Sequence, residues 1–366
     1  MFISKHHYAI ALAEKGNKVY FVNPPDDPRP AEKIEVKPSG IHDNLFVVSH
    51  RISFPYRLKF HALPVFHWFM RGHIKALLKK LASPDIIWSF DIGYFYPFTY
   101  FPAGSLKVFH PVDEPSAQMA IDAAKGADVI FSVTEEILEK YQHLRAPRYF
   151  INHGLAAEFL VDGPNGASEG AMLKVGFSGN LLRPDLDRDT FTRIVEENPG
   201  VQFECWGSYK AGDSNIGGGA DAEQRAFVER LSRSGNVVLH GSVPVKKLAS
   251  ELNRMDGFLI CYDVEKDQSK GTNYHKIMEY LSTGKVIVSN NVTTYKNRED
   301  LVQMIPGRQS NEALPALFKK VMQNIGRFNS PEAMQRRRQF ATDNTYVKQV
   351  ERIGAYLEQL ETTHNS

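Results

Sequence analysis

Cysteine is nearly absent from this chain. Cys205 and Cys261 are the only two among 366 residues, they lie far apart, and both sit in apolar strand-like runs. That excludes a disulfide framework and a Cys-based metal module, and reads as two buried thiols of a reducing compartment. Long apolar runs are missing too: none approaches the ~20 residues that a membrane-spanning helix needs. The first residues lack the basic-then-apolar order of a secretory signal. A cytosolic chain is expected, one that at most touches the inner face of the cell membrane. Net charge is small, +2, so there is no global signature of nucleic-acid binding and no nucleic-acid partner is expected.

What the chain does have is alternation. Strand-like runs of four to six residues recur between helical lengths, the pattern of a parallel sheet with helices on both faces. The length favours two such domains over one core. The first is expected over 1–157. A Gly-, Pro- and polar-rich segment, 158–171, reads as a linker. The alternation restarts over 172–342, and a closing helix over 343–366 is expected to cross back to the first domain. The start departs from the usual order. Residues 4–15 read as a helix, with too few residues ahead of it to supply the strand that normally opens such a domain. Either the record begins late, the reading favoured here, or the domain has one strand fewer.

The stretch from Gly271 to Asn290 draws the most attention. It reads as loop, helix, glycine stop at Gly284 and buried strand, with Thr272 or Asn273 as the expected N-cap. Ile277, Leu281 and Gly284 share a face suited to packing on a sheet. Lys276 and Glu279 lie three apart on another. First-turn amides and a lysine attract phosphate, and a glutamate one turn deeper can accept two hydrogen bonds from a ribose diol. Together they suit a sugar nucleotide. The competing reading is an exposed ion pair of a few tenths of a kcal/mol.

Ligands of open α/β sheets bind beyond the carboxyl ends of strands. In the first half the residues there are Asp91, His110, Asp113 and His153, groups that move protons. In the second they are Ser178, Gly179, Asn180, Gly207, Gly241 and Ser242, which suit phosphate. The division suggests a donor nucleotide on the second half and an acceptor on the first. Plainer readings compete. Asp91 and Asp113 cap the following helices, His110 is a satisfied strand-end histidine, Arg183 is a surface charge, and His153 shapes a domain junction. Asp185-Leu186-Asp187 spells a DxD, but it follows Pro184 and opens a helix, so cap and helix-dipole acids are the better reading and no metal is expected. Gly217 to Gly219 is read as a loop rather than a phosphate cradle.

Three stretches, 175–181 (VGFSGNL), 236–243 (NVVLHGSV) and 275–285 (HKIMEYLSTGK), resemble segments that occur in this order in glycosyltransferases of the GT-B fold. The first half is similar to the family 4 type that builds bacterial surface polysaccharides, at 4–8 (SKHHY), 22–25 (VNPP), 88–91 (WSFD) and 152–155 (NHGL). The resemblance implies two Rossmann-like domains facing a cleft and a metal-independent hexosyltransferase without cofactor. The donor would be a UDP- or GDP-sugar, and transfer would be retaining in the family's manner, to a glycan or lipid-linked acceptor. It implies that Glu279 binds ribose, that Lys276 meets the diphosphate, and that Gly179, Asn180 and Arg183 line the phosphate side. Ser242 and Val243 would meet the base through their backbone, and His110 would lie near the transferred sugar. One departure stands out: many members carry a second glutamate eight residues before the ribose-binding one, and here that position is Gly271. A sugar-nucleotide epimerase on the same fold and a non-catalytic sugar-nucleotide-binding protein are the alternatives.

One further segment is set apart by what it lacks. No Asp or Glu occurs from Asn44 to Pro84, while Arg51, Arg57, Lys59, Arg71, Lys75, Lys79 and Lys80 alternate with Phe54, Tyr56, Phe60, Phe66, Trp68 and Phe69. Cations beside aromatics suit an anionic membrane surface, here over 51–80. A solvated helix with a buried apolar face is the competing reading.

Overall fold

The computed structural model describes residues 3–81, 83–160, 172–210, 221–267 and 269–364, the last four of these as backbone only. The expected linker therefore lies almost wholly outside the described residues, as does Gly217 to Gly219. The chain divides into two compact units, Met1–Asn152 with Tyr346–Ser366, and His153–Thr345. Each is described by itself.

The first unit runs α1 (Ser4–Glu14), β1 (Val19–Val22), β2 (Ile34–Pro38), β3 (Leu45–His50), α2 (Leu58–His61), α3 (Leu63–Leu81), β4 (Ile86–Ser89), β5 (Leu106–Phe109), α4 (Gln118–Asp122), β6 (Val129–Ser132), α5 (Glu135–Glu139) and β7 (Arg148–Phe150). Among the described residues its strands form two sheets, β1-β3-β2 and the parallel β4-β5-β6-β7. No strand precedes α1 among them. Instead α1 reaches both sheets. Ala9 and Ala13 pack with Leu45, Val19 and Phe21, while Tyr8 lies against Trp88 and Phe90 at centroid distances of 5.4 and 5.7 Å. Strand β2 pairs antiparallel with β3; its sequence, Ile34-Glu35-Val36-Lys37-Pro38, alternates apolar and polar, but the run is short, carries two charges and ends in proline, which makes it a weak strand signal. A long C-terminal helix, α13 as numbered below, belongs to this unit and packs on α1, with His7 stacked on Tyr346 at 4.7 Å.

The second unit runs β8 (Leu173–Ser178), α6 (Arg188–Glu197), β9 (Val201–Trp206), α7 (Ala222–Arg233), β10 (Val237–Gly241), α8 (Val245–Leu252), β11 (Gly257–Ile260), α9 (Lys276–Ser282), β12 (Val286–Ser289), β13 (Gln303–Met304), α10 (Leu314–Gln323), α11 (Ile325–Phe328) and α12 (Pro331–Thr342), after which α13 (Tyr346–His364) leaves for the first unit. Its strands make one sheet, ordered β10-β9-β8-β11-β12-β13, and among the described residues each neighbouring pair in it runs parallel. Strands β11 and β12 are buried along their whole length, as expected of parallel strands covered on both faces. The order steps outward in both directions from β8 and β11, so the loops after those two strands diverge at a switch point, where open α/β sheets bind ligands.

Candidate functional site

Glycine sets the geometry beside that switch point. Gly179 follows β8 and Gly207 follows β9. A Cβ on Gly207 would lie 2.0 Å from the Gly179 carbonyl oxygen, and φ there is +126°. Only glycine lets the two loops nest this closely. The nesting is fastened by Gly179 N–H to the Trp206 carbonyl at 2.8 Å and Leu181 N–H to the Ser208 carbonyl at 2.9 Å. Asn180 closes the turn, its Oδ1 accepting from Leu182 N–H at 2.8 Å.

Lys276 comes up beneath this loop from the first turn of α9. Its Nζ donates to the Ser178 carbonyl at 2.6 Å and to the Tyr262 hydroxyl at 2.5 Å, and it would be 2.7 Å from a Cβ on Gly179. The ammonium is buried and has no carboxylate partner among the described residues, so burial, ahead of its neighbours, pushes its pKa down. This rules out the exposed ion pair with Glu279. The Glu279 carboxylate, one turn on and partly buried, takes no hydrogen bond or ion pair among the described residues. Burial pushes it up to about 7, with Lys276 acting in the opposite sense.

Arg183 is held rather than free. Its Nε donates to Asp185 Oδ1 at 2.7 Å, its second arm bonds the other Asp185 oxygen, and Asp267 stands 3.7 Å away. Asp267 is itself a hub: Ser269 Oγ, Gly271 N–H and Tyr274 Oη donate to it at 2.5, 3.0 and 2.8 Å. Arg183 and Lys276 flank the ring of Tyr262 at 5.4 and 4.9 Å from its centroid. The structure thus brings Gly179, Arg183 and Lys276 together around Tyr262. Ser242 and Val243 follow β10, two strands from β8 and therefore about 10 Å across the sheet. Ser242 is exposed and Val243 half-buried.

Two expectations about this region need correction. Neither Thr272 nor Asn273 caps α9: the cap position is His275, with no side-chain cap bond. Thr272 Oγ1 instead donates to the Ser269 carbonyl at 2.8 Å, within the loop. The first-turn amides are also only partly open. Those of Ile277 and Met278 bond the carbonyls of Tyr274 and His275 at 3.0 and 3.1 Å, so helix amides contribute less here than a capped helix would. Gly271 has φ +63°, and a Cβ there would meet the Asn291 carbonyl oxygen at 2.9 Å. No side chain fits where the family's second glutamate would stand. The DxD acids are both engaged: Asp187 is the N-cap of α6, accepting from Thr190 N–H at 3.0 Å, and Asp185 holds Arg183.

The first-unit candidates are placed differently. His110 follows β5 and is fully buried, ringed by Tyr8, Phe90, Trp88 and Phe131 at 5.0 to 6.0 Å. Neither ring nitrogen has a hydrogen-bond partner among the described residues, so it is not the satisfied strand-end histidine of the plainer reading; burial pushes its pKa down to about 3. Asp91 anchors its own loop, accepting from Gly93 N–H at 2.8 Å and Phe95 N–H at 2.6 Å. Burial raises its pKa. It caps a turn, not a helix. Asp113 is exposed in the loop after β5. His153, expected with these, falls instead in the second unit, buried near the His275 ring 6.2 Å away.

No protein-family model matches the chain, and no curated protein sequence matches it. Solved structures do match. Sucrose-phosphate synthase from Thermosynechococcus elongatus aligns over 97% of this chain and 92% of its own, with TM-score 0.71 and 13% identity. HepE from Anabaena, in complex with UDP and glucose, aligns over 87% of both chains with TM-score 0.58 and 13% identity. A variant of S. aureus TarM in complex with fondaparinux, alpha-GlcNAc-glycerol and UDP aligns over 80% of this chain and 58% of its own, with TM-score 0.54 and 13% identity. At such identity the likeness carries the fold: this is a GT-B chain, built of two Rossmann-like units.

Proposed function

We propose that the protein is a glycosyltransferase that takes a sugar from a nucleoside-diphosphate sugar held on the second unit. The observation that carries this reading is the pairing of a buried, anion-free Lys276 beneath a glycine-lined loop with an unpartnered Glu279 carboxylate one turn away. A diphosphate oxygen at Lys276 would give the buried ammonium its counter-charge. A ribose diol would give Glu279 the two donors it lacks. Arg183, oriented by Asp185 and Asp267, would add a second cation on the same side. Fixed cations of this kind stabilise charge as it develops on a leaving diphosphate, so the proposed chemistry needs no metal ion. Gly179 and Asn180 would line the phosphates, and the backbone at Ser242 and Val243 would meet the base about 10 Å across the sheet. The solved structures with UDP support a UDP-sugar as the first donor to try, with a GDP-sugar second.

The finer parts of the proposal are a hexosyl donor, retention at the anomeric carbon with the leaving phosphate as base, and a glycan or lipid-linked acceptor of surface polysaccharide synthesis. In it His110 orients the sugar. With its pKa near 3 it is a neutral ring, and a sugar hydroxyl would reach its unpartnered nitrogen only if the aromatic side chains that cover it move aside. Asp91 acts by shaping its loop, and Asp113 is the exposed carboxylate on the acceptor side.

Calorimetry with UDP and GDP tests the donor site. Glu279→Ala is expected to weaken nucleotide binding at least tenfold, about 1.4 kcal/mol, with the melting temperature kept. Unchanged affinity in a folded variant would refute the assignment. The glycine at 271, in place of the second glutamate, favours one alternative, a non-catalytic binding protein; a sugar-nucleotide epimerase on the same fold is the other. Incubating the nucleotide sugar alone separates these, since an epimerised sugar without any acceptor would overturn transfer.

A further inference from the structure

The first unit carries an exposed apolar patch that the donor site leaves unexplained. Among the described residues, four large aromatic side chains are exposed, and all lie between residues 56 and 69: Tyr56, Phe60, Trp68 and Phe69. Trp68 is 69% exposed and Phe60 63%. Val65 is exposed on the same helix. The aromatics form two pairs, Tyr56 with Phe60 at 5.5 Å and Trp68 with Phe69 at 4.8 Å, joined through Phe54 and Phe66: Phe69 to Phe54 at 5.0 Å, Phe54 to Phe66 at 5.5 Å and Phe66 to Tyr56 at 6.5 Å. Single exposed hydrophobics are ordinary, whereas a cluster of this kind marks a binding surface.

The helix that bears the patch shows what it meets. Helix α3 has 19 residues, about 28 Å. Phe66, Met70, His73, Ile74 and Leu77 point into the unit. The opposite stripe runs Val65, Trp68, Gly72, Lys75 and Lys79, with Phe69 and Arg71 beside it. Its first turns are apolar and its last turns cationic. Arg57, Arg71, Lys75 and Lys79 are exposed and make no ion pair among the described residues. No acid falls between Asn44 and Pro84 to pair with them. A symmetric contact between two copies of this face would set these cations against one another, which argues against self-association.

We infer that the outer face of α2 and α3 is a docking surface for an anionic phospholipid bilayer, with Trp68 and Phe60 entering the headgroup boundary while Arg71, Lys75 and Lys79 lie over the phosphates. Amphipathic aromatic rings and cations on one helix face are the chemistry that such an interface selects. The inference stands on the first unit alone and does not depend on the donor-site reading.

The full chain should be sedimented with vesicles of phosphatidylglycerol and, separately, of phosphatidylcholine, at low and at high salt. Binding is expected to phosphatidylglycerol only, weakened by salt, with a blue shift in tryptophan emission from the exposed Trp68. Each cation near the surface contributes about fivefold. The pair Arg71→Gln with Lys75→Gln should therefore weaken binding about 25-fold, and Trp68→Ser should abolish the blue shift. Circular dichroism and the thermal response to UDP verify that the variants are folded. Absence of binding to phosphatidylglycerol at low salt would overturn the inference. So would equal binding to phosphatidylcholine, variants that bind as well as the parent, or self-association of the parent that Trp68→Ser removes. The UDP response reads out the donor site independently, so failure of one reading is distinguishable from failure of the other.

Discussion

The two units solve the same packing problem to different degrees. In the second, six strands join in one sheet and every helix-to-strand step closes on it. In the first, the sheet is divided, and α1 lies across both parts with no strand ahead of it among the described residues. The cost of the division shows at the strands on either side. β11 and β12 are buried throughout. β1 and β4 are half-covered, and Val22 and Ile86 are exposed although both are strong strand formers. The comparison teaches that an unbroken sheet buries its central strands completely, whereas a divided one leaves strands half-covered at the break. Lys276 is buried at the strand ends of the unit with the unbroken sheet, where the Tyr280 hydroxyl accepts a 2.8 Å hydrogen bond from Ser178 N–H. Among the described residues, polar atoms left without a partner do not separate the units: Tyr8, Trp88 and His110 carry them in the divided one, and Arg188, Ser289, Thr294 and Arg337 in the other.

The sharpest way to break the contrast is at the nested loops. Gly207→Ala puts a Cβ 2.0 Å from a backbone oxygen at a left-handed φ. It is expected to cost about 3–5 kcal/mol and to destroy nucleotide binding with it. Urea denaturation and calorimetry check both. A variant that keeps its stability would mean that the loops are not packed against each other.

The contrast also explains what the sequence made legible. Lys276, Glu279 and Gly284 could be read because their spacing within one short helix is itself the signal. Tyr262, Asp185 and Asp267 could not. Lys276 bonds Ser178 from 98 residues away, and no local period records such a partner. Asp185 was weighed only as a cap or a metal ligand, since its short-range tie to Arg183 looks like any exposed pair. Helix α12 escaped notice because three consecutive arginines mask its stripe, although Arg337 is buried and bonds the Gly284 carbonyl at 2.9 Å. The second unit begins at His153, ahead of the linker that composition suggests at 158–171. The split sheet was visible only as a helix that came too early.

Acid should separate the units further, with opposite signs. In the first, His73 Nε2 and His50 Nδ1 are 2.9 Å apart and both rings are buried. Burial, then His50 and Lys33, lower the His73 pKa to about 4, against about 6.5 when unfolded. Between those values the unfolded chain binds the extra proton, so stability is lost as pH falls from about 6.5 to 4, by at most about 3 kcal/mol. In the second, Glu279 has a raised pKa of about 7. There the folded chain binds the extra proton between about 4.5 and 7, and stability is gained as pH falls, by about 1–2 kcal/mol after allowance for its partial exposure. Urea denaturation of His73→Gln and Glu279→Gln beside the parent, from pH 7.5 to 4.5, isolates each contribution. The parent's advantage over His73→Gln should shrink with acid, and its deficit against Glu279→Gln should vanish. Parallel curves for either pair would remove that group from the account.

The smallest effect sharpens the comparison by placing a glycine of the first unit beside Gly207. Gly72 lies inside α3, and a Cβ there would have nothing within 4 Å. No loop nests on it and its φ is not left-handed, so the glycine only costs backbone entropy. Gly72→Ala is expected to stabilise the protein by about 0.5–1 kcal/mol, read as an increase in the urea midpoint at unchanged slope. It leaves Trp68 and Lys75 in place, so vesicle binding should not fall. A loss of stability instead would mean that the outer face of α3 is covered at this turn, and the exposed stripe from Val65 to Lys79 would lose its continuity.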